Sequence, residues 1–397
     1  MKKFLSFSIL FLLTVTYLLA QPIVRVKPES VGMNSKHLAL ADDAINEAIA
    51  SKTIPGAVLA VVRHGKIAYL KAYGNKQVYP TIQPMTENTV FDLASVSKTV
   101  STAISTMILI ERGQLRLIDN VSQYIPNYQP WVGTDGKKKN IRIIELLTHT
   151  SGLPSYADVI QLQKKYTTPN PDGLIEHIAT VKREAEPGTR MTYSCLNFIT
   201  LQRIIETISG QTLQEFAQEN IFRPLGMKHT DYKPTGETLA LTAPTEKQKD
   251  GNVLLGEVHD PLARIMNGGI SGNAGIFSNA EDLCILAAAL MNNGEVNGVR
   301  ILGPQTVKAM GSIPLGYEKF GRTLGWDANS SYASNIGDLF SKSTYGHTGY
   351  TGTSFIVDPE TQTAVILLAH RVHPEDKGGV TRLRAVVANA VAGAIIK

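Results

Sequence analysis

Apolar residues recur along this chain with two different periods. Over residues 35–50, Leu38, Ala41, Ile45, Ala48 and Ile49 fall on one face at helical spacing, and Ser35 stands where an N-cap is expected. Residues 57–63 and 66–73 then alternate or run apolar on either side of His64-Gly65, which predicts a strand hairpin. An apolar helical pattern follows over residues 99–111. From Gly113 to about Gly298 the signals are mostly helical, broken by Pro and Gly turns. Thr212 with Glu215 makes a capping box, and residues 281–292 form another apolar-faced helix. Near the end, residues 350–357 and 363–369 read as two strands joined by Asp358-Pro359-Glu360-Thr361, a turn sequence. A last helical pattern over residues 380–396 has an apolar face suited to core packing.

Strands therefore lie at both ends of the chain and helices fill the middle. The economical fold class is α+β: one antiparallel sheet built from N- and C-terminal segments, covered by the terminal helices in a sandwich, with a helical lobe inserted. The expected division is a single domain over residues 21–397. Its sheet lobe takes about 28–110 and 300–397, and its helical lobe about 111–299. A cleft between lobes is a natural place for a site.

Residues 1–20 have a different pattern. Lys2 and Lys3 precede an uncharged, mostly apolar run to Leu19, and Ala20 offers a small residue for cleavage. This predicts a signal peptide and export to the periplasm or medium. Leu18 is a poorer fit to a cleavage site than a small residue, so an uncleaved anchor is the alternative. After cleavage no stretch of spanning length is left, and no stable membrane insertion is expected. Absence of a cysteine near the junction argues against a lipid anchor.

Composition fits a globular rather than a disordered chain, with 43% hydrophobic and 18% charged residues among 397. The formal charge of +5 falls to +3 without Lys2 and Lys3, too little to suggest nucleic acid. Lys137-Lys138-Lys139 after Gly136 reads as a solvated loop. Cys195 and Cys284 are too few for a disulfide framework and read as buried free thiols in helices.

Candidate chemistry begins at Ser95, the one serine with a lysine three positions later, Lys98. On a helix these two side chains share a face. A hydroxyl beside an amine that can give up its proton is an activated nucleophile. By itself the pair is weak, since chance supplies such spacings. Three later segments strengthen it: the run from Pro187 through Tyr193-Ser194-Cys195 to Phe198, the run Glu145-Leu146-Leu147-Thr148-His149-Thr150-Ser151-Gly152, and Tyr345-Gly346-His347-Thr348-Gly349-Tyr350.

Together with Ser95-Val96-Ser97-Lys98, these segments resemble the serine β-lactamase and penicillin-binding family of the class C and DD-carboxypeptidase type, which also contains many esterases. The resemblance runs from about residue 28 to 397. It implies a β-lactamase-like fold and a seryl acyl-enzyme, with Ser95 as nucleophile and Lys98 as proton acceptor. Tyr193 would relay a proton to the leaving group or activate the deacylating water. His347, Thr348 and Gly349 would line the cleft, and the backbone N–H groups of Ser95 and Tyr350 would form the oxyanion hole. The implied partner is a small-molecule or cell-wall-derived acyl substrate, with no cofactor and no metal.

Two departures from the family pattern bear on substrate. Cys195 stands where the tyrosine element has asparagine, and a thiol is a weak substitute for an amide that both donates and accepts. Asn197 lies two positions further on, and the role is not transferred to it. His347 stands where many β-lactamases have lysine, which removes a fixed cation for a substrate carboxylate. Both lean away from a dedicated β-lactamase and toward an esterase or D-alanyl peptidase. A true β-lactamase and a non-turnover binder of penicillin or cell-wall fragments are the alternatives.

Other histidines have plainer readings. His149 is expected as a core residue and His259-Asp260 as a loop-fixing pair. His370 and His373 could bind a metal by spacing, but no cysteine or acidic cluster completes a site. No G-x-S-x-G elbow, phosphate loop or H-E-x-x-H occurs.

Overall fold

The computed structural model describes residues 23–397, so the expected signal segment lies outside the described residues. Helix α1 (Ser35–Ala50) leads into strands β1 (Gly56–Arg63) and β2 (Lys66–Gln77), with a short β3 (Gln83–Pro84) beside β2. The chain then crosses to the helical lobe and returns as β7 (Tyr345–Thr348), β8 (Ser354–Asp358) and β9 (Thr363–Ala369), before α5 (Thr381–Gly393) closes it. The sheet order is β7-β8-β9-β1-β2-β3, antiparallel throughout. Register is set at the centre, where Ala57 pairs with Ala369 and Arg63 with Thr363. The sheet is thus built from both ends of the chain, as the apolar pattern predicts.

All eight residues of β1 are buried, so a face-alternating strand is not what its sequence should show. Val58, Ala60 and Val62 pack toward the interior core shared with the helical lobe. Leu59 and Val61 point the other way, against Leu38 and Ile45 of α1 and Leu383, Val387 and Val391 of α5. A strand buried on both faces reads as an apolar run, because successive side chains enter two different cores. The last helix is accordingly a packing element. It ends at Gly393, short of residue 396, and Ile395 instead bridges to Met33.

Several local expectations are corrected. Asn34, not Ser35, caps α1, its side chain accepting from the His37 N–H at 3.2 Å. Lys138 and Lys139 form one edge of a small hairpin with Trp131 and Val132, and Lys139 reaches Glu186 at 3.1 Å. The strand expected from residue 350 starts only at Ser354. The Thr351 and Thr353 hydroxyls are tied to the carbonyls of Asp92 and Leu93 at 2.8 and 2.9 Å, which holds the preceding corner off the ladder. The Thr212–Glu215 capping box is present.

Two further elements matter for the site. A three-stranded sheet joins β4 (Phe91–Asp92), β5 (Asp231–Tyr232) and β6 (Ile276–Ser278) where the lobes meet, in the order β4-β6-β5. Within the helical span, α3 (Cys195–Ser209) follows the tyrosine segment. α4 (Ala280–Met291) is buried along nearly its whole length, with Leu283 and Leu286 in the interior core beneath the sheet.

Candidate active site

Ser95 does not sit on a regular α-helix. A tight turn over Ala94–Val96 passes into a widened π-type turn over Lys98–Ala103 before α2 (Ile104–Glu111) begins. Such turns inside helices often mark functional sites. Ala94 holds a left-handed φ of 46°, and its N–H donates to Asp92 Oδ1 at 2.8 Å. The other Asp92 oxygen accepts from the His259 N–H at 2.7 Å. Asp92 thus fixes the approach to the nucleophile from both the β4 end and the 259 loop.

The irregular turn preserves the shared face of Ser95 and Lys98. Lys98 Nζ lies 3.0 Å from Ser95 Oγ, 2.8 Å from the Asn273 carbonyl and 3.6 Å from Cys195 Sγ. Three acceptors therefore surround one wholly buried amine. Burial pushes its pKa down, while ionised Cys195 and Tyr193 push it up, and the upward effect is the larger. Burial also pushes the Cys195 thiol and the Tyr193 phenol up. With three acceptors on it and its pKa raised, Lys98 rests as an ammonium ion and must give up a proton before it can act as a base.

Tyr193 packs between two rings. His149 lies 4.4 Å away at 31° and Tyr332 at 5.0 Å and 26°. Lys98 Nζ stands 5.1 Å from the Tyr193 ring centre. His149 is a core histidine, as expected: its Nδ1 accepts from the Ser194 N–H at 3.0 Å. Asn197 is buried and bonded to Ser151 and His149, so it cannot replace the missing asparagine as a substrate reader.

The cleft above Ser95 has a volume of about 420 Å³ and is lined in part by Tyr193, His347, Thr348, Gly349 and Tyr350. Lys98 and Cys195 lie outside this lining. His347 Nδ1 donates to the Thr348 carbonyl at 2.8 Å. Burial, then the charges of Arg322 and Lys98, hold the His347 pKa well below the ordinary value, so it is neutral. Gly349 has no room for a side chain, since a Cβ would collide with the Thr353 hydroxyl and the Leu93 carbonyl. This close approach, with the two threonine bonds to Asp92 and Leu93, presses the Tyr350 corner onto the Ser95 turn. An oxyanion hole shared by these two backbones needs that arrangement.

Sequence reasoning missed the cleft's cations. Arg322 and Asp327 form a buried pair at 2.8 Å. Arg371 pairs with Asp376 at 2.6 Å. Arg384 on α5 donates to the carbonyls of Gly349 and Thr353 at 2.6 and 2.8 Å, and among the described residues no carboxylate pairs with it. Burial, then the charge of Arg371, pushes it down to about 9, which leaves it a cation at neutral pH. The fixed charge absent from the His347 position is thus supplied from a helix 37 residues further along the chain. No motif marks it. The Asn273 carbonyl was equally invisible, because backbone atoms leave no residue signature.

The remaining candidates resolve simply. His259 Nε2 meets Glu246 at 3.1 Å, and Asp260 accepts from the Tyr156 hydroxyl and the Ala263 N–H, so the pair fixes loops. Both ring nitrogens of His373 are engaged by the backbone of Thr245 and Val78, which removes it as a metal ligand. Cys195 and Cys284 are free thiols; Cys284 is buried, while Cys195 is partly exposed.

The Beta-lactamase family model matches residues 41–389. Over 374 residues the chain is 33% identical to the N-acetylmuramyl-L-alanine amidase of Bacillus subtilis, covering 88% of this chain and 84% of that one. It is 31% identical over 377 residues to a putative D-alanyl-D-alanine carboxypeptidase of Escherichia coli, covering 87% and 85%. Among solved structures, EstCE1, a hydrolase with promiscuous acyltransferase activity, superposes with a TM-score of 0.73 at 24% identity, covering 90% of this chain and 99% of that one.

Proposed function

The chain belongs to the β-lactamase family of serine hydrolases, and on that premise we propose that it is an exported D-alanyl peptidase that cleaves a carboxylate-bearing cell-wall amide through an acyl-enzyme on Ser95. The observation that carries this reading is the 3.0 Å contact between Lys98 Nζ and Ser95 Oγ beneath a cleft walled by the unpaired cation Arg384. Once deprotonated, Lys98 takes the Ser95 proton as the oxygen attacks the amide carbonyl. The N–H groups of Ser95 and Tyr350 receive the developing oxyanion. Tyr193 passes a proton to the departing amine, and water then releases the acyl group. Arg384 draws the substrate carboxylate to the Gly349 side of the cleft.

Amide chemistry is favoured over a lipid-like ester by the lining. Apart from tyrosines, Val380 is the one large apolar side chain among the described residues of the cleft. Both named relatives above are amide-cleaving by name. A second reading, a binder that acylates without turnover, is favoured by Cys195, since its thiol is a weak acceptor both for Lys98 and for a substrate amide.

The test is D-alanine release from a pentapeptide ending in D-alanyl-D-alanine, compared with the same peptide carrying a C-terminal amide and with a neutral aryl ester. The expected result is release from the free-acid peptide, weaker cleavage of the amidated form, and no release by Ser95→Ala. Rapid cleavage of the ester alone would replace this reading with an esterase. A stable Ser95 adduct without product would favour the binder.

A further inference from the structure

The oxyanion donor at Tyr350 sits in the turn Gly349-Tyr350-Thr351-Gly352, closed by the Gly352 N–H on the Gly349 carbonyl at 3.1 Å. Among the described residues the Tyr350 N–H has no hydrogen-bond partner, which leaves it free for a substrate oxygen. Tyr350 is also 56% exposed, so burial does not hold this corner still. An oxyanion donor must nevertheless be aimed before the reaction begins, since its worth lies in needing no reorganisation.

Two arginines supply the aim. A trans peptide is planar, and its C=O and N–H point in opposite directions. The Gly349 carbonyl and the Tyr350 N–H belong to one such plane. Arg384 Nη2 donates to that carbonyl at 2.6 Å and to the Thr353 carbonyl at 2.8 Å, so a guanidinium anchored at two points sets where the Tyr350 N–H points. The next plane carries the Tyr350 carbonyl, and Arg371 Nε donates to it at 2.8 Å. The Arg371 N–H holds the Thr351 carbonyl at 2.7 Å. Its guanidinium also lies 4.3 Å over the Tyr350 ring, and Asp376 accepts from both Arg371 Nη1 and the Tyr350 hydroxyl at 2.6 Å. Tyr350 is thus gripped through the peptides on both sides of its Cα and through its side chain. A cation on a carbonyl further polarises that peptide, which makes the N–H at its other end a stronger donor, and Arg384 is buried, where this effect is least screened. Arg384 Nη1 has no partner among the described residues, so the hold on the turn does not compete with a substrate carboxylate.

We propose that Arg384 and Arg371 are positioning residues of the oxyanion hole, which orient the Tyr350 N–H through the two carbonyls that flank it, Arg384 polarising it as well. The proposal rests on the acyl-enzyme reading of Ser95 and on no particular substrate. It gives Arg384 a part in the chemical step, separate from drawing in a carboxylate.

The test uses probes without a carboxylate, on which attraction to Arg384 has no bearing. Turnover of p-nitrophenyl acetate and inhibition by phenylboronic acid, whose tetrahedral adduct on Ser95 places an oxygen in the hole, are measured for wild type, Arg384→Met and Arg371→Met. Circular dichroism establishes that each variant is folded. The expected result for Arg384→Met is a fall in kcat of about 10²-fold, as for a misplaced reacting group, with KM little changed. Arg371→Met should lower kcat by about tenfold, and boronate inhibition should weaken in both variants. Should Arg384→Met not fold, Arg371→Met carries the same test. Wild-type kcat and boronate affinity in the folded variants would overturn the proposal and confine Arg384 to the substrate carboxylate. A rise in KM at constant kcat would overturn it too, because that is lost binding and not a lost transition-state contact. Losses on both probes support the proposal even if no D-alanyl peptide is cleaved, an outcome that would refute only the peptidase reading. A wild type inert toward both probes would contradict the oxyanion hole at Tyr350 and this proposal with it.

Discussion

Cys195 Sγ lies 3.6 Å from Lys98 Nζ, on the amine that also contacts the nucleophile. A sulfur acceptor holds an amine less firmly than an amide oxygen does. Beside it, the buried Asn273 Nδ2 has no hydrogen-bond partner. An asparagine at 195 would give the lysine an oxygen and could satisfy that donor too. Cys195→Asn is therefore expected to raise kcat/KM on the peptide amide by about fivefold, one net hydrogen bond. Steady-state kinetics on a D-alanyl peptide checks this, and an unchanged or lower value would mean that the thiol is already suited to the native reaction.

The tight seat of Gly349 yields a second expectation. Gly349→Ala must push the strand corner away from Leu93 and Thr353. The protein should fold, because the collision is confined to the 349–353 corner and the Leu93 carbonyl. Displacing one oxyanion donor should lower kcat by about 10²–10³-fold. Circular dichroism with kinetics separates the two effects, and near-wild-type kcat would remove the Tyr350 corner from the oxyanion hole.

Four buried histidines make stability depend on mild acid. Burial lowers the pKa of His149 and His347 well below the ordinary value, His370 to about 3, and His373 as well. In the unfolded chain each binds a proton near pH 6.5, so between that pH and the folded values the unfolded state holds more protons. Stability is thus intact above about pH 6.5 and is lost as pH falls, with a limiting slope of about 5 kcal/mol per pH unit for four groups. Urea midpoints measured from pH 7.5 to 5 should fall steeply. A flat profile would show that these histidines titrate alike in both states. The neutrality of His347 also makes KM for an anionic peptide level between pH 6.5 and 8.

Much of the scaffold was legible because apolar runs leave a plain record. The early hairpin, the late strands and both flanking helices follow from residues such as Val58, Leu59, Leu38 and Val387. The nucleophile segment was legible from its spacing, although its turn geometry was not, since a π-type turn and an α-helix have the same composition here. What escaped reading depends on distant segments meeting. Arg384 looks like any helix residue until α5 is laid behind Gly349. Tyr332 sits in a polar loop and gains meaning only by stacking on Tyr193. Asn34 took the cap from Ser35 because either residue type can do so, and one position decides it.

Intact-protein mass spectrometry, quenched during turnover of an N-acyl-D-alanyl thioester and followed by peptide mapping, tests the acyl-enzyme most directly. The expected result is one acyl group on Ser95 in the wild type, none in Ser95→Ala, and much slower labelling in Lys98→Met. An acyl group carried by Cys195 instead, or turnover by Ser95→Ala at the wild-type rate, would contradict the assignment of Ser95 as the nucleophile.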